Sequence, residues 1–323
     1  MKKSITILLI ILSIAFLYIM YINQKADLKA QKISIAEQYG LGYAPLQIMK
    51  EKAILEKKLD NVEINWQKLG NTTAIREAII AGNLDIGFVA IPPFLIGKDK
   101  GMNWKIMSGI SQSPLGLITY KDSVKSLEDL QISDKIALPQ PGSIQHILLA
   151  MASQKMFQDA QKFDNRLVTM KHPDGMNALL TDREITAHFT SPPYIFKELA
   201  QENLHQILSG EEALGGQFTF IVGVCSKDFY GKKLQLYQIF LESLKEAINY
   251  INENPRDSAT ILAESYNLTD KKTYEYITHP DMKYSQEIKG LDEFLLFMNE
   301  NNYISLYYDD IGELIWEVDF YEK

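Results

Sequence analysis

The side chains in this sequence that could do chemistry are amides, hydroxyls and aromatic rings, and most of them follow short apolar runs. Groups of this kind hold a small molecule through hydrogen bonds and ring contacts. In the first part of the chain the candidates are Gln38, Tyr39, Gly40, Tyr43, Thr72, Thr73, Ala90, Ile91, Ser111 and Gln112. In the later part they are Gly142, Ser143, Ile144, Gln145, His172, Asp174, Thr190, Ser191 and Tyr194. These residue types predict that a small solute binds at the loops.

Several candidates also have a purely structural interpretation. Thr72 and Thr73 could only cap a helix. Gly142 and Ser143 could only shape a turn. His172 precedes a proline, and a histidine in that position is more often a surface loop residue than a ligand. Both interpretations stay open for these residues.

Other kinds of chemistry are excluded by composition and by motif. A net charge of −8 argues against nucleic acid, which needs a basic face. The single cysteine, Cys225, excludes an intramolecular disulfide and a cysteine-based metal centre. His146 and His188 have no second His or Cys at metal-binding spacing, and we expect both to be structural. Nucleophile-elbow, His-Glu-x-x-His and phosphate-loop motifs are absent from the sequence, so we expect no catalytic residue, metal or cofactor.

Two stretches of the sequence, 78–94 and 178–194, follow the same plan at an offset of 100 residues. Each reads as the end of a helix, a short turn, an apolar strand and a loop that closes with two prolines and an aromatic residue. A proline in the first turn of a helix loses no hydrogen bond, because that N–H has no partner there. The repeat therefore predicts two similar lobes, with a site formed by the loops that follow the strands.

The remaining pattern predicts an α/β fold of two lobes with a helical C-terminal part. Strands alternate with helices at a spacing that requires parallel pairing through crossover helices. The predicted strands are 33–36, 62–69, 84–89, 104–110, 115–120, 135–138, 166–170, 204–208 and 218–225. The predicted helices include 45–57, 144–152, 270–277, 291–301 and 310–320. The expected division is 33–117 for the first part of lobe I, 118–219 for lobe II, and 220–323 for a second, mostly helical part that wraps lobe I.

The N-terminal segment has the features of an export signal. It has a basic start and an apolar run of 18 residues, which is near the lower limit for a membrane-spanning helix. No clear cleavage site follows, so residues 1–22 are predicted to be a signal or signal-anchor segment. Residues 23–32 are polar and are predicted to form a tether. The rest of the chain is then expected in the periplasm, or at the extracytoplasmic face of the cytoplasmic membrane.

The order of these elements resembles a known family. The motifs that carry the resemblance are 81–88 with Pro92-Pro93, Pro141-Gly142-Ser143, 189–193 and the long helical tail. They are similar to the solute-binding proteins of ABC importers, of the nitrate/sulfonate/taurine type, which also includes binders of a thiamine-precursor pyrimidine. The resemblance covers nearly all of residues 33–300. It implies a type II periplasmic-binding-protein fold, in which two Rossmann-like lobes are joined by two crossover strands.

The resemblance also implies a function and partners. The lobes would close on a small organic solute and deliver it to an ABC permease and its ATPase subunits, and a monomer is expected. By resemblance, Thr72-Thr73 and the Pro-Gly-Ser loop most often touch the solute. Two alternatives stay open, a membrane-tethered sensory binding module and an enzyme on the same fold. The pyrimidine synthase that shares this fold needs a cysteine-rich motif, which Cys225 alone cannot supply.

The composition of the candidate loops indicates the class of solute. The candidate loops contain no arginine, the residue that usually holds a carboxylate with two hydrogen bonds. Their tyrosines, amides and hydroxyls favour a neutral or weakly cationic aromatic ring, or a sulfonate held by helix N–H groups. Tyr39 and Tyr43 could be packing aromatics, and at least one is expected to line the cleft.

Overall fold

Two five-stranded sheets form the centres of two lobes in the computed structural model, which describes residues 32–59, 61–182, 184–308 and 310–316. The strands are β1 (Lys32–Glu37), β2 (Glu63–Lys68), β3 (Ile86–Ala90), β4 (Trp104–Ser111), β5 (Gly116–Thr119), β6 (Ile136–Leu138), β7 (Leu167–Thr169), β8 (Ala187–Thr190), β9 (His205–Ser209) and β10 (Ile221–Ser226). The first sheet has the order β2-β1-β3-β10-β4 and the second β7-β6-β8-β5-β9. The predicted α/β class with two similar lobes is therefore confirmed.

The two sheets are built on one plan. In the first sheet β1 pairs in parallel with β2 and β3, and β10 runs antiparallel between β3 and β4. In the second sheet β6 pairs in parallel with β7 and β8, and β5 runs antiparallel between β8 and β9. Each antiparallel strand is the one that enters from the other lobe, so β5 and β10 are the two crossover strands. The predicted boundary after residue 117 falls inside β5, and all of 116–119 pairs in the second sheet.

The helices cover the sheets and fill the C-terminal part. Those before β10 are α1 (Ala44–Glu51), α2 (Ile54–Lys58), α3 (Thr72–Ile80), α4 (Ile91–Asp99), α5 (Ile144–Phe157), α6 (His172–Asn177), α7 (Tyr194–Leu199) and α8 (Gly210–Leu214). Those after it are α9 (Lys227–Lys232), α10 (Leu234–Glu253), α11 (Pro255–Ser265), α12 (Asp270–Ile277) and α13 (Leu291–Glu300). The predicted single helix 45–57 is two helices, because Ala53 between them adopts the left-handed conformation with a φ of 50°.

The C-terminal helices pack on both lobes, and not on lobe I alone as predicted. On α7 of lobe II, Phe196 lies against Tyr276 of α12, with ring centroids 4.8 Å apart. The predicted helix 310–320 is wrong over its described part. Only Ile311–Leu314 forms a short 3-10 helix, and Ile315 then pairs with Ile106 of β4 as a parallel bridge.

The two Pro-Pro steps differ in the structure. Pro92 and Pro93 lie inside the first turn of α4, which begins directly after β3, so this copy has no loop between strand and helix. The Pro192–Pro193 bond is cis, and α7 begins only at Tyr194. The expectation of a proline within the first helical turn is therefore correct for the first copy and wrong for the second.

The predicted signal segment 1–22, and all of the tether 23–32 except its last residue, lie outside the described residues. Lys32 belongs to β1. Within the described part of the chain, the helices are all too short or too polar to cross a membrane.

Candidate functional site

A cavity of about 380 Å³ lies between the two lobes. Its walls include residues at the carboxyl ends of β1, β3, β6, β7 and β8 and the first residues of α3, α5 and α6. Its lining is Gln38, Tyr39, Tyr43, Gly70, Asn71, Thr72, Ala90, Pro93, Pro139, Gln140, Ser143, Ile144, Gln145, Thr169, Met170, Lys171, His172, Pro173, Asp174, Ser191, Phe220 and Ile221. Carboxyl ends of parallel strands are where ligands meet sheets of this kind.

Eleven of the residues singled out from the sequence line this cavity: Gln38, Tyr39, Tyr43, Thr72, Ala90, Ser143, Ile144, Gln145, His172, Asp174 and Ser191. The structure places the other eight outside the lining: Gly40, Thr73, Ile91, Ser111, Gln112, Gly142, Thr190 and Tyr194. Ser111, Gln112 and Thr190 are buried polar residues near the strand ends, and Tyr194 stacks behind His172 with ring centroids 5.7 Å apart.

Some lining residues were missed by sequence reasoning. Phe220 and Ile221 precede and begin β10, which the sequence marked only as a crossover. Pro139, Gln140 and Lys171 belong to loops whose other members had been selected, and Pro173 lies in the first turn of α6 beside His172 and Asp174, which had also been selected. These residues could have been found by selecting each loop as a whole. All residues that directly follow a parallel strand lie near the carboxyl edge of the sheet.

In lobe I, side-chain amides hold the wall of the cavity. Gln38 Nε2 donates to Thr72 Oγ1 and to the Phe88 carbonyl oxygen, both at 3.2 Å. Asn71, and not either threonine, caps α3, because its Oδ1 accepts from Ala74 N–H at 2.9 Å. The capping interpretation of Thr72 and Thr73 is therefore wrong, and the hydroxyl of Thr72 is bonded to Gln38 instead.

Glu37 lies behind this wall at the end of β1. Its Oε1 accepts a hydrogen bond from the Gln47 amide of α1, and its Oε2 is buried without a partner in the described part of the chain. Burial raises the pKa of Glu37, and the bond from Gln47 and the lysines Lys68 and Lys50 oppose that rise.

In lobe II, Ser143 caps α5. Its Oγ accepts from His146 N–H at 3.3 Å. His146 Nδ1 accepts from Gly142 N–H at 2.9 Å, so its Nε2 must carry the proton that faces Asp164 Oδ1 at 3.0 Å. Ser143 thus combines the structural interpretation with a place in the cavity lining.

A chain of hydrogen-bonding side chains runs from the cavity into the core of lobe II. Gln145 Nε2 lies 3.2 Å from His172 Nε2, and His172 Nδ1 lies 3.2 Å from His188 Nε2. His188 Nδ1 lies 2.6 Å from Glu198 Oε1. His188 and Glu198 are both fully buried. We call these four residues the lobe II chain. His172 is therefore one wall of the cavity, in contrast to the surface loop position that its neighbouring proline suggested.

Burial is the main influence on the ionisable groups of the lobe II chain. It raises the pKa of the Glu198 carboxyl to about 9 and lowers the pKa of His188 to about 3. Burial, together with the nearby His188, also lowers the pKa of His172 well below its usual value. The Glu198–His188 pair therefore carries one proton near neutral pH.

The lobes touch at the rim of the cavity. Leu41 N–H of lobe I donates to the Pro192 carbonyl oxygen of lobe II at 3.1 Å. Gly40 adopts a φ of 128°, and a Cβ there would lie 3.1 Å from the same oxygen. Gly40, selected as a candidate ligand, thus has the role of allowing the two backbones to approach.

The charged groups of the lining are few. Lys171 and Asp174 are both exposed, and among the described residues no arginine lines the cavity. Within the same part of the chain, no cluster of His, Cys, Asp and Glu is arranged to hold a metal ion. Amides, hydroxyls, aromatic rings and helix N-termini can bind a small molecule by hydrogen bonds and stacking.

Comparisons with known proteins agree with this architecture. A family model described as the NMT1-like family matches residues 27–265. The periplasmic aliphatic sulphonate binding protein of Escherichia coli superimposes with a TM-score of 0.71 at 21% identity, covering 91% of this chain and 94% of that chain. The alkanesulfonate-binding protein of Xanthomonas axonopodis, bound to MOPS, gives a TM-score of 0.74 at 17% identity, covering 89% and 99%.

The periplasmic nitrate-binding protein of Synechocystis gives a TM-score of 0.66 at 14% identity, covering 88% of this chain and 86% of that chain. No curated protein matches the sequence. At these identities the solved structures show a shared fold, the periplasmic-binding-protein fold of two lobes around a cleft.

Proposed function

The chain belongs to the NMT1-like family, and from that premise we propose that it is the extracytoplasmic solute-binding component of an ABC importer. It captures a small organic solute between its lobes and presents the closed complex to a permease. The similar proteins of known structure are binding proteins for sulfonates and nitrate, which supports this role.

The observation that carries the proposal is the cavity that both lobes line. Gln38 and Thr72 of lobe I face it from one side, and Ser143, Gln145 and His172 of lobe II from the other. A solute that contacts both walls binds the closed form better than the open form, and this difference in affinity drives closure. The volume of about 380 Å³ lies at the small end of the range for organic ligands.

The side chains of this lining favour binding of a solute over its chemical conversion. The groups that face the cavity are amides, hydroxyls and rings, and His172 is kept neutral by burial. Cys225, the single cysteine, is buried in β10 away from the lining, and burial raises the pKa of its thiol. Such groups hold and orient a solute, so the enzyme alternative has less support than binding.

The solute that we propose is a sulfonate, a nitrate-class anion or a small heterocycle such as a pyrimidine. Aromatic rings from Tyr39, Tyr43, His172 and Phe220 line the cavity and suit a flat ring. The first residues of α3 and α5 supply N–H groups that suit an anionic oxygen. The absence of arginine from the described lining disfavours a tightly held carboxylate.

A basic and apolar segment at 1–22 would export the chain and tether it to the membrane, and the solute site would then lie outside the cytoplasm. The partners would be a permease and its ATPase subunits, and the protein would act as a monomer without nucleic acid. A tethered sensory module with the same cavity is the alternative, and a permease and ATPase encoded beside this chain would count against it.

Mass spectrometry of small molecules that co-purify with the protein tests the function directly. The expected result is one solute that fits the cavity and stabilises the protein in thermal-shift assays by about 2.7 kcal/mol at 100 times its Kd. Parallel panels of sulfonates and nitrogen heterocycles distinguish the classes. No stabilisation by any small molecule would contradict the proposal, and conversion of the bound solute would favour the enzyme.

Two adjacent threonines provide a matched pair for the site. Thr72 lines the cavity and Thr73 does not. We expect Thr72→Ala to weaken binding of the co-purified solute about fivefold, because it loses a hydroxyl worth about 1 kcal/mol. Thr73→Ala should leave the affinity unchanged, and equal losses in both variants would place the site elsewhere.

A further inference from the structure

Hydrogen-bond distances do not show which atom donates in each link of the lobe II chain. We call the shared order of donors and acceptors along these links its direction. Each link joins two atoms that can exchange the roles of donor and acceptor. A neutral histidine carries one proton, so a donor at Nε2 must be an acceptor at Nδ1. Gln145 can turn either its oxygen or its nitrogen to His172, because the two ends of an amide have nearly the same shape. One choice at the buried end therefore fixes every link out to the cavity.

The buried end of the chain is Glu198. Its Oε1 faces His188 Nδ1, while its Oε2 is buried and has no partner in the described part of the chain. An ionised Glu198 beside a neutral His188 would be an uncompensated charge in the core, which is strongly unfavourable. The pair therefore holds one proton. If the carboxyl carries that proton, it lies on Oε1, because among the described residues only Oε1 has an acceptor.

The direction is the same wherever the proton rests between the two groups. A protonated Glu198 donates to His188 Nδ1, and His188 then donates from Nε2 to His172 Nδ1. If the proton moves to the imidazole, His188 donates from both nitrogens, and the link to His172 keeps its direction. His172 consequently carries its proton on Nε2 and donates to Gln145 Oε1.

We propose that the proton shared by Glu198 and His188 sets the hydrogen-bond direction of the whole chain, so that Gln145 turns its NH₂ group to the solute. This inference rests on the proposed solute-binding function. It makes Gln145 a specificity-determining residue, and His172, His188 and Glu198 the residues that position it. The solute class that it selects has a hydrogen-bond acceptor, such as an oxyanion oxygen or a ring nitrogen, against Gln145.

Other ionisable groups surround the chain. Lys171 and Asp174 flank His172, and Tyr194 and Lys197 lie on α7 with Glu198. Phe196 between them packs against Tyr276 and His279 of the C-terminal part. On β9, His205 Nε2 lies 2.7 Å from the Val124 carbonyl oxygen, so that nitrogen carries its proton. Tyr39 of lobe I approaches Tyr194.

Loss of the proton from the Glu198–His188 pair at alkaline pH would exchange donor and acceptor in every link of the lobe II chain.

Nitrogen-15 NMR of the histidine rings in the purified full-length protein reads the direction without any solute. At about pH 7, we expect His172 and His188 to carry their protons on Nε2. His146 and His205 are internal controls. A backbone N–H donates to Nδ1 of His146 and a backbone carbonyl accepts at Nε2 of His205, so each neutral ring carries its proton on Nε2. Protons on Nδ1 of His172 and His188 near neutral pH would overturn the proposal.

Variants test whether Glu198 holds the proton. Above about pH 9, His172 and His188 should switch to Nδ1 protonation while the two control histidines do not. Glu198→Gln removes the titrating proton, so its spectra should be independent of pH through this range. Gln145→Glu supplies a permanent acceptor to His172 and should hold the His172 proton on Nε2 in alkali. A switch that persists unchanged in Glu198→Gln overturns the assignment.

These outcomes are separate from the test of the proposed function. A protein that binds a solute and yet carries Nδ1 protons in the chain would keep its function and refute this inference. A protein that shows the expected ring protons and binds no small molecule would support the inferred hydrogen-bond direction and refute the proposed function.

Discussion

The two walls of the cavity are held by hydrogen bonds that end in different ways. In lobe I, Gln38 donates to the backbone carbonyl of Phe88, which can only accept. In lobe II, Gln145 is held by a chain that ends at Glu198, which can donate or accept. An amide bonded to the backbone therefore has one orientation, whereas an amide bonded through ionisable groups takes its orientation from a proton.

Loss of the His188 side chain should separate the two walls most strongly in stability. We expect His188→Leu to lower the free energy of unfolding by about 3 kcal/mol, because it leaves Glu198 buried without its partner. Gln38→Leu in lobe I is the matched variant and should cost about 1 kcal/mol. Urea unfolding measures both. Equal losses would mean that the two walls do not differ.

The second effect is on the pH dependence of stability. In the unfolded chain Glu198 loses its proton near its ordinary pKa of 4.5 and a histidine near 6.5, whereas in the folded state the pair keeps one proton until about pH 9. Between pH 6.5 and 9 the folded state therefore binds one proton more than the unfolded state. Stability should fall by about 1.4 kcal/mol per pH unit in that window.

Below that window the same pair has no net effect down to pH 4.5, because both states then hold one proton on it. Glu198→Gln should remove the alkaline decline seen in urea unfolding at a series of pH values. Variants of lobe I such as Gln38→Leu should keep it. A decline that is the same in Glu198→Gln would contradict the assignment of this proton.

The third effect concerns the contact between the walls. Gly40→Ala should raise the Kd for the solute about tenfold, which is about 1.4 kcal/mol of binding free energy. The reason is that the new Cβ would crowd the Pro192 carbonyl oxygen in the closed form. Gly101→Ala is the control, since Gly101 also has a positive φ, of 83°, and has open space around its Cβ position. Gly101→Ala should lower stability only. Calorimetric titration with the co-purified solute separates the two outcomes.

The smallest effect compares the helix caps of the two walls. Asn71 caps α3 in lobe I and Ser143 caps α5 in lobe II, and both line the cavity. Replacing either by Ala should cost about 1 kcal/mol of stability, together with some solute affinity. Thermal melting of the empty proteins measures the first part. Unchanged melting of Ser143→Ala would mean that its hydroxyl serves only the solute.

Much of the fold could be predicted from the sequence because apolar runs and turn residues report it locally. The strands and the long helix α10 follow from such patterns, as do the paired lobes from the repeat at 78–94 and 178–194. The break at Ala53 could not be predicted, since alanine favours helix and its residue type does not indicate the positive φ that it adopts. The extended chain at Ile315 likewise depends on a bridge to distant β4.

The candidate site was predictable to the level of its loops and not of its side chains. The loops after β1, β6 and β7 follow from strand order, and together with the helix starts that come after them they contain most of the lining. Which member of a loop faces the cavity depends on packing, so Thr72 and not Thr73 lines it. The lobe II chain joins residues from α5, α6, β8 and α7, and a relation among four elements leaves no mark in local sequence.

The bond from Leu41 N–H to the Pro192 carbonyl oxygen has a consequence for how such a protein could diversify. This contact between the two lobes uses main-chain atoms. Its geometry therefore does not depend on which side chains surround the solute. Descendants of this chain could exchange Gln145 or Thr72 for other groups and acquire a new cargo. The fastening itself would be inherited intact, provided that a glycine stays at position 40.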